Sequence, residues 1–228
     1  MNDATPTSTG ATKRGAQTRL RILDAAERLF SQRGYHGTSM RDLAAEADVR
    51  MGLVHYHFGT KDQVLATAID RKLLPLTREI EESFASARQA GRLSHVEDCV
   101  RAFIMPFLAV HADRAHPLHY FVVMASHLMS SYRVPEVQPA LQRLSGVSAI
   151  FTDALRGIHP ALDEGRLLTG TYLIEAALIF MMQDPGFLND LSHQRQSVQK
   201  LEAIADATLQ FFSAGMQALI APDASPNN

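Results

Sequence analysis

Apolar residues recur along this chain at helical spacing, and no segment carries a convincing strand pattern. Ile22, Ala25, Ala26, Leu29 and Phe30 stand at i, i+3, i+4, i+7 and i+8, one face of a helix. Gly34 follows with Arg33 in the last turn, which predicts the stop. Thr38 or Ser39 then caps a second helix, and Asp42 falls where negative charge suits a helix N-terminus. That helix is short, because Met40, Leu43, Ala44 and Ala47 complete two turns and Asp48 can break it. A third short helix runs from about Arg50 to Phe58, burying Leu53, Val54 and Phe58, with Gly59 and Thr60 in the turn after it. Three short helices with tight turns are the pattern of a helix-turn-helix module.

Further helical patterns run over 61–90, with Pro75 as a kink or break, and over 96–112, with Pro106 inside. Others cover 117–131, 135–158, 163–182 and 196–219. Gly91, Pro117, Pro135, Pro160 and Pro185–Gly186 punctuate the joins. The expected class is all-α: a three-helix, homeodomain-like module and a bundle of about six helices. The expected organisation is a disordered tail over 1–15, the module over 16–62, a body over 63–220 and a second tail over 221–228.

Composition narrows the classes. The chain has 228 residues, 46% hydrophobic and 20% charged, an ordinary soluble globular make-up. Its single Cys excludes a disulfide framework and a Cys-based zinc site, and Cys99 reads as buried and inert. The polar first 15 residues lack the apolar core of a signal peptide. The richest apolar stretch, Tyr172 to Met182, is too short to span a bilayer and carries Glu175. These features predict a cytoplasmic protein that does not engage membranes. The net charge of -2 argues against a wholly basic nucleic-acid coat protein. Yet residues 1–65 hold nine basic against seven acidic side chains, and the remainder holds 13 against 17. A basic patch on an acidic body fits a DNA-binding module joined to something else.

The run from Thr18 to Leu65 carries Ile22-Leu23, Ala25-Ala26, Leu29-Phe30, Gly34-Tyr35, Thr38, Arg41, Leu43-Ala44, Ala47, Val49, Gly52, Tyr56-His57-Phe58, Lys61 and Leu65. In this spacing, without a gap, it resembles the TetR family of bacterial transcriptional regulators. The likeness covers about a fifth of the chain, and the helical remainder is compatible with it. Arg50 stands where the family usually has Ser or Thr, and His55 where it usually has an aromatic residue. Both obscure the DNA sequence that would be read, and His55 adds pH sensitivity near neutrality.

A recognition helix offers its N-terminal residues to base edges in the major groove. Here those are Arg50, Met51 and Gly52, with His55 one turn on. Arg50 can reach guanine or a phosphate, and Gly52 permits close approach. Tyr56 and His57 can bond phosphate oxygens, although Tyr56 and Phe58 also suit a core, the favoured reading for Phe58. Lys61 supplies a mobile positive charge, Ser39 a hydroxyl and a helix N-terminus, and Arg41 a reach to backbone or base. Thr38 joins this set through the resemblance. Lys13 and Arg14 read as solvated, with insertion into a minor groove as the alternative.

The resemblance implies an effector pocket in the body and a homodimer through about 163–184 and 196–219. Phe103, Phe107, His111, Phe121, Met124, His127 and Leu128 cluster in the middle helices and suit either a plain core or an adaptable pocket. Phe151, Tyr172 and Glu175 complete the candidate pocket; Glu175 reads as exposed, as a dimer contact or as a ligand-orienting carboxylate. The segment from Phe121, with the run Val54 to Gly59, faintly resembles regulators that sense fatty acids or acyl-CoA. His111, His116 and His119 with Asp113 have poor metal spacing, so no metal and no cofactor is expected. No catalytic motif appears, and an enzyme is not expected. The reading that follows is a repressor released from a palindromic double-stranded DNA operator by a small apolar effector. The alternatives are an activator or architectural DNA-binding protein, and a small-molecule binding protein without DNA activity.

Overall fold

The computed structural model describes residues 8–195 and 201–220, and every regular element among them is helical. Helix α1 (Ser8–Arg33) packs on α2 (Met40–Glu46) and touches α3 (Met51–Phe58). Ile22, Leu23, Ala26 and Phe30 of α1 meet Leu43, Ala44, Val54 and Phe58 in one core. Gly34 and Gly59, at φ 66° and 72°, supply the left-handed turns that end α1 and α3. Asp48 also adopts positive φ, 51°, and its N–H and that of Val49 close the end of α2 on the Ala45 and Ala44 carbonyls. Residues 8–15, expected in a disordered tail, lie in α1. Residues 1–7 and 221–228, the remainder of the two expected tails, lie outside the described residues.

Helix α4 (Lys61–Gln89) runs unbroken through Pro75, and α5 (Val96–Ala112) through Pro106, so neither proline ends its helix. Their apolar faces, buried at Leu76, Ile80 and Phe84 and at Phe103, Ile104 and Leu108, hold both helices in the bundle. The body continues with α6 (His119–Met129), α7 (Gln138–Leu141), α8 (Ser145–Ile158), α9 (Glu164–Gln183), α10 (Pro185–Leu191) and α11 (Leu201–Ile220). The pattern over 135–158 divides at a 3-10 turn, Gln142–Leu144, and α10 fills a stretch read as a join.

Helix α11 packs on α5 and α9, and α9 on α6 and α8. A Cβ on Gly170 would come within 2.3 Å of Met216 Sδ, so glycine lets α9 and α11 approach closely. Helix α9 has 20 residues and is long and apolar enough to cross a membrane by composition, unlike the shorter Tyr172–Met182 stretch. Here one side of it packs in the bundle through Leu167, Ile174, Leu178 and Met182.

Candidate DNA-reading surface and effector cavity

Helix α3 buries Val54 and Phe58, one turn apart, and little else. Arg19 lies over the Phe58 ring at 5.2 Å, which confirms Phe58 as a core aromatic rather than a contact residue. Leu53, expected inside, is 40% exposed, because it lies a quarter turn from the Val54–Phe58 stripe. The outward side carries Met51, Gly52, His55 and Tyr56, the last 82% exposed. The His55 Nδ1–H donates to the Gly59 carbonyl at 3.0 Å, which fixes the ring. His57 is half-buried beside the start of α1, 3.9 Å from where a Cβ on Gly15 would sit. Arg41 and Arg50 are exposed, and neither guanidinium has a hydrogen-bond or ion-pair partner among the described residues. Lys13 and Arg14 are exposed on a helix, not on an extended arm.

Three expected contact residues are occupied with the fold. Thr38 is 1% exposed, and its hydroxyl donates to the Gly34 carbonyl at 3.0 Å, so its side chain is buried and holds a turn. Ser39 caps α2: its hydroxyl accepts from the Asp42 N–H at 3.2 Å and donates to the Asp42 carboxylate at 2.5 Å. Asp42 accepts in return from the Ser39 N–H at 2.8 Å, a reciprocal cap, and these bonds hold its carboxyl below the usual range. Lys61 was expected as a mobile charge and is fixed instead. Its ammonium donates to the Tyr35 and Thr38 carbonyls at 2.8 and 3.0 Å and stands 3.9 Å from the Tyr35 ring centroid. Partial burial lowers its pKa. Lys61 thus ties the start of α4 to the turn between α1 and α2, beside a hydrogen bond from the Tyr35 hydroxyl to Asp62.

The body holds a cavity of about 310 Å³, partly open to solvent, between α4, α5, α6, α8 and α9, with Leu141, Gln142 and Leu144 in its wall. Of the expected pocket residues, Phe103, Phe107 and Glu175 line it. The other seven do not. On α6, Phe121, Met124 and Leu128 share the core side, while Val122, Ala125, Ser126 and Met129 face the cavity. The two sets are one residue apart, about 100° of helix. Phe151 is buried, stacked on Phe103 at 4.8 Å between ring centroids, and Ser145, Val147 and Ser148 take its place at the wall. His127 is half-buried outside the lining, with its pKa lowered by burial. Tyr172 is 69% exposed on the outer side of α9.

His111 is buried against His119, 5.7 Å between rings, and burial lowers its pKa. His116 lies at the surface, 3.5 Å from Glu79. Among the described residues no group of three or more His, Cys, Asp or Glu could hold a metal. Cys99 is buried, and burial raises its thiol to about 11, which keeps it unreactive. Glu175 is neither exposed nor an outer contact: its carboxylate lines the cavity and accepts from Ser148 Oγ at 2.5 Å.

Helix α4 joins the two sites. Arg71 pairs with Asp24 and, at 3.1 Å, with Glu27, both on α1. Lys72 reaches Glu27 at 3.8 Å and donates to the Pro117 carbonyl at 2.9 Å. Arg143, among cavity-wall residues, pairs with Asp70 and donates to the Ala66 carbonyl at 3.3 Å.

A helix-turn-helix module with an outward recognition helix, joined by one long helix to a bundle around a cavity, defines a helix-turn-helix transcriptional regulator. Residues 22–68 match the bacterial regulatory proteins of the tetR family, and residues 101–215 match the tetracyclin repressor-like C-terminal domain. The chain belongs to the TetR family. It is 51% identical over 57 residues to an HTH-type transcriptional repressor of Mycobacterium tuberculosis, a match spanning 25% of this chain and 30% of that protein. It is 28% identical over 182 residues to the HTH-type transcriptional repressor BepR of Brucella suis, 78% of this chain and 82% of that one. In fold it is similar to the transcriptional regulator FadR of Bacillus subtilis in complex with stearoyl-CoA. That match has a TM-score of 0.53 at 17% identity and covers 86% of this chain and 98% of that one.

Proposed function

We propose that this chain is a homodimeric repressor whose module, residues 16–62, leaves a palindromic operator when a small apolar effector enters the body, residues 63–220. The observation that carries this is the outward side of α3. A Cβ on Gly52 would meet nothing within 4 Å, so the fold itself has no need of a glycine there. Glycine loses more backbone freedom on folding than any other residue, and Tyr56 is an aromatic side chain left in water. A close external surface accounts for both. Arg50, Arg41, His55, Tyr56 and His57 then meet bases and phosphates, while Thr38, Ser39 and Lys61 act by positioning α2 and α3.

The dimer reading rests on a second apolar surface. Leu168, Tyr172, Leu173 and Phe180 of α9 are exposed, as are Ala207, Phe211, Ala214 and Ala218 along one side of α11. A second copy covers such faces in a four-helix seam and sets two recognition helices about one DNA turn apart. For the effector, the apolar cavity supports the ligand class. An acyl chain, as in the Bacillus subtilis relative's stearoyl-CoA, is one form such a ligand can take.

The test is selection from a random duplex library at ~150 mM salt, where non-specific attraction is reduced. A palindrome should be enriched. On it, Tyr56→Ala should lose about tenfold in affinity with unchanged stability. Lys61→Met should lower stability by about 2 kcal/mol, since it removes charged hydrogen bonds that hold a turn. Failure of the folded dimer to enrich any sequence, before and after unfolding and refolding to strip ligand, overturns the DNA-reading proposal.

A further inference from the structure

We infer that the ligand of this cavity carries a cationic nitrogen on an apolar chain or ring, with Glu175 as its counter-ion. This rests on the reading of the cavity as the effector site and names the chemistry of its occupant.

The wall is built from Leu, Val, Ile, Met, Phe and Ala, and one formal charge enters it, that of Glu175. Among the described lining residues there is no Lys, Arg or His. One oxygen of the Glu175 carboxylate accepts from Ser148, and no other hydrogen bond reaches that carboxylate among the described residues. The serine hydroxyl protons of the wall are turned away from an incoming anion. Ser126 Oγ donates to the Val123 carbonyl at 2.7 Å, and Ser145 Oγ to the Gln142 carbonyl at 2.8 Å. Tyr132 and Gln142 remain as neutral donors.

An isolated carboxylate in an apolar wall is expensive unless it is paired. Burial accordingly raises the pKa of Glu175, with the Ser148 bond opposing it. An ammonium beside Glu175 supplies both a counter-charge and a charge-assisted hydrogen bond, and the aliphatic remainder meets the wall. A carboxylate headgroup would meet a like charge with no cation at hand. A fatty acid is therefore the wrong sign for this cavity, although its chain suits the walls.

The test is calorimetric titration of the full-length protein with decylammonium, decanol and decanoate at pH 7, probes that share one chain and differ in head. Wild-type protein should bind decylammonium about tenfold more tightly than decanol, with decanoate weakest. Glu175→Gln should bring decylammonium to the level of decanol while thermal unfolding shows the fold retained. Ser148→Ala should hold or raise the decylammonium affinity, and it keeps the carboxylate if the Gln variant does not fold. Decanol or decanoate matching decylammonium, or Glu175→Gln leaving its affinity unchanged, overturns the counter-ion and leaves the effector cavity standing. No binding by any of the three overturns both. Ala125→Phe places a ring in the cavity and should weaken binding of decylammonium and decanol by about tenfold; unchanged binding in that folded variant places the probes elsewhere and also overturns both.

Discussion

The module and the body both leave large side chains in water, but of different kinds. On α3 and its surroundings most of the exposed large groups have polar or charged tips, Tyr56, His55, Arg50 and Arg41, beside the less exposed Met51 and Leu53. On α9 and α11 they are mainly apolar, Leu168, Leu173, Phe180 and Phe211 with Tyr172 beside them and alanines between. A polyanion is met by groups that stay hydrated until they bind, and repeated hydrogen bonding sets the register. A second protein copy is met by surface that water tolerates poorly, and apolar burial sets the affinity. The same fraction of exposure thus points to different partners, and the chemistry of the tips tells them apart.

The sharpest way to break this contrast is a charge on the apolar side. Phe211 is 75% exposed at the middle of α11, so Phe211→Arg should leave the monomer folded. It should abolish dimerisation, and operator affinity should fall by about 10²–10⁴, because two linked half-site contacts become independent. Sedimentation velocity with a gel-shift titration reads both. A dimeric Phe211→Arg protein would show that the seam lies elsewhere and that the apolar side of α11 needs another explanation.

The two regions were also unequally legible in the sequence. The module's surface is set within some 45 residues, so spacing together with the family resemblance placed Arg50, Met51, Gly52, His55 and Tyr56 on its outer side, although spacing put Leu53 inside. It failed where a polar side chain serves the fold. Ser39 was legible as a helix cap, but Thr38 and Lys61 look like contact residues, and only the turn that brings Gly34, Tyr35 and Lys61 together shows their hydroxyl and ammonium already engaged. The cavity is assembled from distant helices, and bulky apolar residues were a poor guide to it. Phe121, Met124 and Phe151 fill space on the core side, whereas the wall sets small Ala125, Ser126, Ser145 and Ser148 among bulky Phe103, Phe107 and Met182, so side-chain size did not single it out. The signal available was the second stripe of α6, Val122, Ala125, Ser126 and Met129, and the paired Ser148 and Glu175 on neighbouring helices.

Between the two regions lies a joint that resembles neither, and pH should expose it. Glu27 is 4% exposed on α1, beside Asp24 of its own helix and Arg71 and Lys72 of α4. Burial outweighs both cations and pushes its carboxyl up from 4.5 to about 7. The folded chain therefore holds this proton more tightly than the unfolded chain. The stabilisation is complete below pH 4.5 and is lost as pH rises through about 7, by up to about 3 kcal/mol. His111 has the opposite sign: its lowered pKa refuses a proton that the unfolded chain accepts, so acidification below 6.5 costs stability there. Glu27→Gln should remove the first effect and leave the second. Urea unfolding between pH 5 and 8 should then show the variant losing stability on acidification more steeply than wild type. Parallel pH profiles would mean that Arg71 and Lys72 keep Glu27 ionised throughout.

The smallest expected effect concerns how the body speaks to the module. Helix α4 carries Lys61 against the recognition module and Leu76 into the cavity wall, 15 residues and about 22 Å apart. Arg143 links the wall segment Leu141–Ser145 to α4 through Asp70 and the Ala66 carbonyl. A ligand that pushes this segment outward pulls on α4 between its two ends. Arg143 is partly exposed, so its loss should cost little stability. Arg143→Ala should therefore bind operator and effector nearly as wild type does, yet need more effector for release. A loss of about 1 kcal/mol of coupling corresponds to roughly a fivefold change. Titrating effector in the presence and absence of operator measures that coupling from both sides, and the two values must agree. Unchanged coupling in Arg143→Ala would move the transmission to the Lys72–Pro117 link between α4 and the start of α6, which touches Glu27 and bypasses the cavity wall.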